Sequence, residues 1–158
     1  MSRLPKNDRR RNDILRIGIL EPDGFSHRAI ALLEDVGVVE KFDERMVSMQ
    51  EFLDNKQAIF IRLKYYISEE IFQHALTLRY LCSPTTGLNH IALEAAQKQG
   101  IEVLSLRGEE TFLSTIRATP EHIFGLTIAL LRNYKDAFLS PAKRAWDRDT
   151  YRGHELYQ

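Results

Sequence analysis

Cys82-Ser83-Pro84-Thr85-Thr86-Gly87-Leu88-Asn89-His90-Ile91 is the stretch on which the reading of this chain turns. The apolar run Leu78-Arg79-Tyr80-Leu81 before it predicts a strand. Leu93-Glu94-Ala95-Ala96-Gln97-Lys98 after it predicts a helix, stopped by Gly100. A strand, a turn of small residues and a helix leave backbone N–H groups unspent at the helix mouth. Such a turn can receive a carboxylate or a phosphate. An ordinary strand-to-helix connection has the same composition, so the neighbouring elements decide between the two.

Working outward, residues 14–20 form an apolar run broken only by Arg16 and Gly18, as in a strand buried on both faces. Glu21-Pro22-Asp23-Gly24 is a turn, and Ser26 caps a helix through Val36 with Ile30, Leu33 and Val36 at helical spacing. Gly37 stops it, residues 38–42 read as a second strand, and residues 48–55 as a short helix with Phe52 and Leu53 inward. Ala58-Ile59-Phe60-Ile61 is a third strand, ending at Arg62. Ser68 caps the next helix, with Glu69 and Glu70 in its first turn and Ile71, Phe72 and Ala75 inward. Beyond the opening stretch come a helix over residues 92–99 and a fifth strand over residues 101–106. Alternation without hairpin signals predicts an α/β, flavodoxin-like fold: a parallel five-stranded sheet with helices on both faces. Ligands of such sheets sit beyond the carboxyl ends of the strands. Arg62 and the Pro84-Thr85-Thr86-Gly87 turn both fall there, candidates for one shared pocket.

After Leu106 the character changes. Residues 108–116 read as a loop or short helix, and Pro120 opens a helix as a good first-turn residue. Ile123-Phe124-Gly125-Leu126-Thr127-Ile128-Ala129-Leu130-Leu131 is apolar almost all round, which demands burial on every side. Residues 120–138 are therefore expected to pack on a partner domain or in a homodimer. Residues 140–158 are polar, with Trp146 as a lone anchor.

The 158 residues make a one-domain length, and 22 basic residues balance 22 acidic ones, so no global field argues for nucleic acid or membrane. No apolar run approaches the roughly 20 residues of a membrane helix. The single cysteine, Cys82, forms no internal disulfide, which points to the reducing cytoplasm. Residues 1–13 carry Arg9-Arg10-Arg11 but no apolar signal core, and read as a disordered, solvated basic tail. His27, His74, His90, His122 and His154 show no paired metal-ligand spacing. His122 beside Glu121 opens a buried helix and reads as structural, and Cys82 as a small buried thiol, with only His90 near enough to be a base. Tyr65 and Tyr66 fit a pocket mouth or a surface equally, and Asp147 with Arg148 a surface pair. A phosphate receiver would need an acceptor aspartate after the third strand, where Arg62 stands, and is set aside.

The stretch from Leu78 to Ile91, followed by Gly100-Ile101-Glu102-Val103-Leu104, resembles the substrate-domain signature of the D-isomer-specific 2-hydroxyacid dehydrogenases, which include phosphoglycerate dehydrogenases. Ala118-Thr119-Pro120-Glu121-His122 and Leu130-Leu131-Arg132-Asn133 resemble that family's long interdomain helix. Trp146-Asp147-Arg148 and Arg152-Gly153-His154-Glu155-Leu156 resemble its lead into the nucleotide-binding domain. The resemblance implies that Thr85, Thr86 and Gly87 form the substrate-binding turn, with the N–H groups of Thr86 and Gly87 on the carboxylate. It implies that Arg62 helps bind a small 2-hydroxy or 2-oxo acid. Thr85 stands where many members have a glycine, and Ala92 where many have an acid; Asn89 is then the expected substitute helix cap.

The family's next feature is Gly-x-Gly-x-x-Gly, whose glycines admit the pyrophosphate of NAD or NADP. None of the eight glycines here forms a Gly-x-Gly. The resemblance thus implies the front half of an oxidoreductase: a tail (1–13), a substrate-binding domain (14–107), a linker and interdomain helix (108–138) and a lead-in (139–158). Its catalytic residues would lie in a missing domain, and the fragment is expected neither to bind the cofactor tightly nor to transfer hydride. A free-standing, non-catalytic module that binds small acids or dimerises is the alternative.

Overall fold

The computed structural model describes residues 14–139, 149 and 151–157. Contacts divide the chain into two compact units, Met1–Gly108 and Glu109–Gln158. In the first, β1 (Leu15–Ile19), α1 (His27–Glu34), β2 (Gly37–Lys41), α2 (Met49–Leu53), β3 (Ala58–Phe60), α3 (Glu69–His74), β4 (Tyr80–Ser83), α4 (Leu93–Lys98) and β5 (Glu102–Ser105) alternate. All pairings are parallel, in the order β2-β1-β3-β4-β5. This is the flavodoxin-like order expected from the alternation.

The strand order dictates the layering. The chain steps from β1 to β2 in one direction and from β2 through β5 in the other. Right-handed crossovers then put α1 on one face and α2, α3 and α4 on the opposite face. Packing agrees. Gly18 is in register with Ile59, and a Cβ at Gly18 would stand 2.8 Å from a ring carbon of Phe52 on α2. Phe52, Leu53, Phe72, Ala95 and Ala96 close over Ile59, Ile61 and Leu81 on that face. Each large buried side chain there contributes roughly 1.5–3 kcal/mol. On the other face, Phe60 meets Phe25 edge-on at 5.8 Å.

Ser26, Ser48 and Ser68 cap their helices as expected, each hydroxyl accepting from the backbone N–H three residues on, at 3.4, 3.3 and 3.4 Å. The cap expected from Asn89 does not form: α4 has no side-chain cap. Its start is held instead by the Ala92 N–H, which donates to the Ile67 carbonyl at 2.9 Å. β4 begins two residues later than the run from Leu78 suggested, because the Leu78 N–H closes the end of α3 on the Ala75 carbonyl at 3.1 Å. Cys82 and Ser83 therefore belong to the strand. The buried Lys56 ammonium is held by the Asn55 side-chain carbonyl at 2.6 Å and by Glu40 at 3.3 Å. Burial pushes the Glu40 carboxyl up, but hydrogen bonds from Arg16 and Lys56 outweigh it and leave it below its usual range.

The second unit corrects one expectation. Residues 120–138 are two helices, α6 (Ala118–Leu131) and α7 (Tyr134–Leu139), after the short α5 (Glu110–Leu113). Asn133 breaks the run with φ of 52°. The C-terminal segment takes the freed groups: the His154 N–H donates to the Leu131 carbonyl at 2.8 Å, and the Asn133 side chain donates to the Arg152 carbonyl at 3.0 Å. A Cβ at Gly153 would collide with that same Leu131 carbonyl. α6 begins before Pro120, which is still inside the first turn, where a missing N–H costs no helical bond. No residue of α6 is buried, and Phe124 and Leu130 are 64% and 78% exposed. The basic tail, Trp146, Asp147 and Arg148 lie outside the described residues.

Two outcomes follow from this packing. Gly18→Ala should lower stability by about 1–3 kcal/mol, read as a lower urea midpoint at unchanged slope, because the Phe52 ring must move. On β4, burial first and the Glu102 charge second push the Cys82 thiol up to about 11. Cys82 should react with iodoacetamide at pH 8 on the order of a hundredfold more slowly than free cysteine, whose thiol titrates near 8.5. A rate equal to free cysteine would mean the thiol is not in this environment.

Candidate functional site

Two clefts open along the carboxyl ends of the strands. The first lies where the strand order reverses between β1 and β3, the position at which such sheets form a crevice. It has a volume of about 610 Å³ and is lined by Glu21, Asp23, Asp43, Glu44, Arg62 and Lys64 among others. Glu21, at the end of β1, is buried. One of its oxygens accepts from the backbone N–H of Arg62 at 2.7 Å and of Lys64 at 3.2 Å. Its other oxygen lies 3.6 Å from Arg62 Nε, and Arg62 Nη2 donates to the Asp23 carbonyl at 2.6 Å.

Two further acids of this cleft, Asp43 and Glu44, are matched as well. Hydrogen bonds from the Arg45 side chain, then from its backbone, hold the Asp43 carboxyl down at about 2. Glu44 is held below its usual range by Tyr65 and then Lys64, at 3.0 and 3.3 Å. Tyr65 thus lines this cleft, while Tyr66 is exposed.

The second cleft, about 460 Å³, is built on the turn after β4. Thr86, Gly87 and Leu88 line it, with Glu69, Lys98 and Arg107 further out. Among the described residues, the N–H groups of Thr86 and Gly87 donate to nothing. Apart from its chain neighbours, no heavy atom lies within 4 Å of where a Gly87 Cβ would stand, so the backbone is open to an approaching group. Beneath the turn, the Thr85 hydroxyl donates to the Gly87 carbonyl at 2.8 Å and lies 2.8 Å from Ser83 Oγ, which is 3.3 Å from His90 Nε2.

The site residues read from the sequence are thus divided between two clefts. Thr85, Thr86 and Gly87 form the turn of the second; Arg62 lines the first. The two are close along the chain ends, since the Ile61 N–H donates to the Cys82 carbonyl at 3.0 Å, but they do not open into one pocket. Sequence reasoning missed three participants. Glu21 was legible as an acid at the end of the strand beside the one that ends in Arg62. Ser83 and His90 were quoted in the stretch, yet nothing in their spacing tells that they meet. Among the described residues no base contacts Cys82: His90 turns to Ser83 instead. Among the described residues no three His, Cys, Asp or Glu side chains converge as a metal-ligand set, and no helix is long and apolar enough to cross a membrane.

Comparison with known proteins agrees with this architecture. Residues 19–111 match the model of the D-isomer specific 2-hydroxyacid dehydrogenase catalytic domain. The chain is 24% identical over 139 residues to a D-3-phosphoglycerate dehydrogenase of Bacillus subtilis, covering 88% of this chain and 26% of that protein. It is 29% identical over 154 residues to a glyoxylate reductase of Pyrococcus furiosus, covering 87% of this chain and 44% of that one. Among solved structures, D-lactate dehydrogenase from Aquifex aeolicus with NAD and lactic acid shares the fold, with a TM-score of 0.71 at 19% identity over 89% of this chain and 41% of that one. NAD-dependent formate dehydrogenase from Staphylococcus aureus with NAD gives 0.70 at 22% identity, over 90% and 46%. The chain therefore spans about a quarter of the B. subtilis enzyme's length and under half of these structures. With the family model matched over more than half of its residues, this chain belongs to the D-isomer specific 2-hydroxyacid dehydrogenase family.

Proposed function

We propose that this chain is the substrate-binding portion of an NAD(P)-dependent D-2-hydroxyacid dehydrogenase, an oxidoreductase acting on the CH–OH group of a small acid such as a phosphoglycerate, in the cytoplasm. The observation that carries this reading is the turn itself, with two unspent amides, Thr86 and Gly87, at an open backbone. A carboxylate there accepts two charge-assisted hydrogen bonds. The 2-hydroxy or 2-oxo carbon is then held in one orientation, as a stereospecific hydride transfer requires.

Arg62 takes a supporting part. Its guanidinium is engaged by Glu21 and Asp23 at the neighbouring strand end. To meet the same acid it must exchange the Asp23 carbonyl for the substrate and reach across from the first cleft.

The residues present do not fit the nicotinamide dinucleotide. The crevice at the strand reversal presents the buried Glu21 carboxylate where a pyrophosphate would approach, and no Gly-x-Gly occurs in the sequence. No step through the cofactor is derived for this chain; in this reading the cofactor and the catalytic residues belong to a part of the protein that it does not cover. A second reading, association through α6 and α7 as a homodimer or on a partner domain, draws on the exposure of Phe124, Leu130 and Phe138. Sedimentation of the chain as a monomer that binds no hydrophobic dye counts against that association.

Titration of the isotope-labelled chain with D-glycerate or D-lactate, followed by amide NMR, tests the main reading. The Thr86 and Gly87 resonances should move together and saturate; resonances that stay still would sink the carboxylate assignment. Gly87→Ala should leave stability within about 0.5 kcal/mol, because its Cβ meets open space, yet remove that binding by covering the amides. Arg62→Ala should weaken binding several-fold, and unchanged affinity would take Arg62 out of the site.

A further inference from the structure

We propose that His90, Ser83 and Thr85 form a one-way hydrogen-bond relay that holds the Gly87–Leu88 peptide in a single orientation, with His90 as a positioning residue of the acid-binding turn. The relay stands on hydrogen-bond bookkeeping; only its purpose rests on the carboxylate reading given above.

Proton counting fixes its direction. The Gly87 carbonyl can only accept, so the single hydroxyl proton of Thr85 goes to it, across 2.8 Å. Thr85 Oγ1 then has no proton for Ser83 Oγ, so at 2.8 Å Ser83 is the donor and Thr85 the acceptor. The proton of Ser83 is now spent. Its contact with His90 at 3.3 Å is a hydrogen bond only if His90 Nε2 carries a proton and donates. The chain of donation runs His90 to Ser83 to Thr85 to the Gly87 carbonyl. Its middle member, Ser83, is buried, so water cannot stand in for the ring.

The relay matters because of where it ends. A trans peptide is planar, so its C=O and N–H point in opposite directions. Drawing the Gly87 carbonyl toward Thr85 turns the Leu88 N–H away from Thr85. Little else holds the Gly87 end of that peptide: apart from its chain neighbours the site of a Gly87 Cβ is empty to 4 Å, and Gly87 is free of the steric brake that a side chain would provide, whereas Leu88 packs against the core. Thr86, Gly87 and Leu88 all line the second cleft. One imidazole proton, transmitted through two hydroxyls, therefore sets the presentation of the backbone in that cleft. The composition of the turn supports the same view. Thr85 supplies a hydroxyl where a glycine could not, and the histidine supplies a donor long enough to reach Ser83 on the strand.

The test has two independent arms, both on the full chain. The first is the side-chain nitrogen NMR spectrum of His90 at a pH where the ring is neutral. Nε2 should carry the proton, and an Nδ1–H tautomer would overturn the relay even if every variant failed to fold. The second arm compares His90→Leu, which removes the donor, with His90→Gln, which places an amide N–H near the Nε2 position. Unchanged resonances on β1 and β2 show that each variant is folded. The Leu88 amide resonance should move in His90→Leu and return in His90→Gln, and D-glycerate binding at Thr86 and Gly87 should weaken roughly tenfold in the first and recover in the second. His90→Leu matching wild type, or His90→Gln as impaired as His90→Leu, would overturn the proposal. If wild type shows no D-glycerate response, the carboxylate reading falls, and the tautomer and the Leu88 resonance still judge the relay.

Discussion

The buried carboxylate of Glu21 is the contact on which the sheet's working edge depends. A charge taken from water must be matched by donors or it costs several kcal/mol. Glu21 is matched by the chain leaving β3, through the backbone N–H groups of Arg62 and Lys64 and, more distantly, the Arg62 guanidinium. One side chain at the end of β1 thereby fixes the path of the neighbouring connection and the placement of its arginine. It does so at the point where the strand order reverses, just beyond the backbone bond from the Leu20 N–H to the Phe60 carbonyl at 2.9 Å. Removing the Glu21 carboxylate would leave the backbone N–H groups of Arg62 and Lys64 without that acceptor.

The same contact explains how the two clefts divide. The carboxylate that orders the first cleft also makes it a poor place for a second anion. The turn after β4 is ordered from beneath, by neutral hydroxyls and an imidazole, and keeps its outward amides unspent. Order and availability are compatible there because the side chains that brace the turn are not the groups that face the cleft.

Much of this was legible in the residues. Alternating apolar runs and serine caps at Ser26, Ser48 and Ser68 are local signals, and local signals set the elements of a parallel sheet. Gly18 looked like an interruption of its strand, and only the sheet shows why it is there: Phe52 lies over it. What escaped reading was long-range or depended on one backbone angle. The break at Asn133 is a single left-handed residue that periodicity cannot register, since helix-compatible residues stand on both sides of it. The pairing of Glu21 with Arg62 spans 41 positions and requires the strand order. The relay joins Ser83 to His90 only because β4 runs on to Ser83, two residues past the strand that the apolar run predicts.

Magnitudes decide which cleft an acid prefers. In the first, a carboxylate must displace an existing partner of Arg45, Lys64 or Arg62. The exposed pairs of Arg45 and Lys64 are worth only about 0–1 kcal/mol each, yet the displaced acid stays close by, and its repulsion offsets what the newcomer gains. In the second, the amides of Thr86 and Gly87 give up only water. Hydrogen bonds to a charged group are worth about 1.5–3 kcal/mol each, and no resident acid has to move. Lys98 and Arg107 line this cleft and form no ion pair among the described residues, but Glu69 and Glu94 line it too, so the lining charges balance and the unspent amides carry the attraction. Equal charge counts at the two strand edges therefore do not mean equal affinity for an anion.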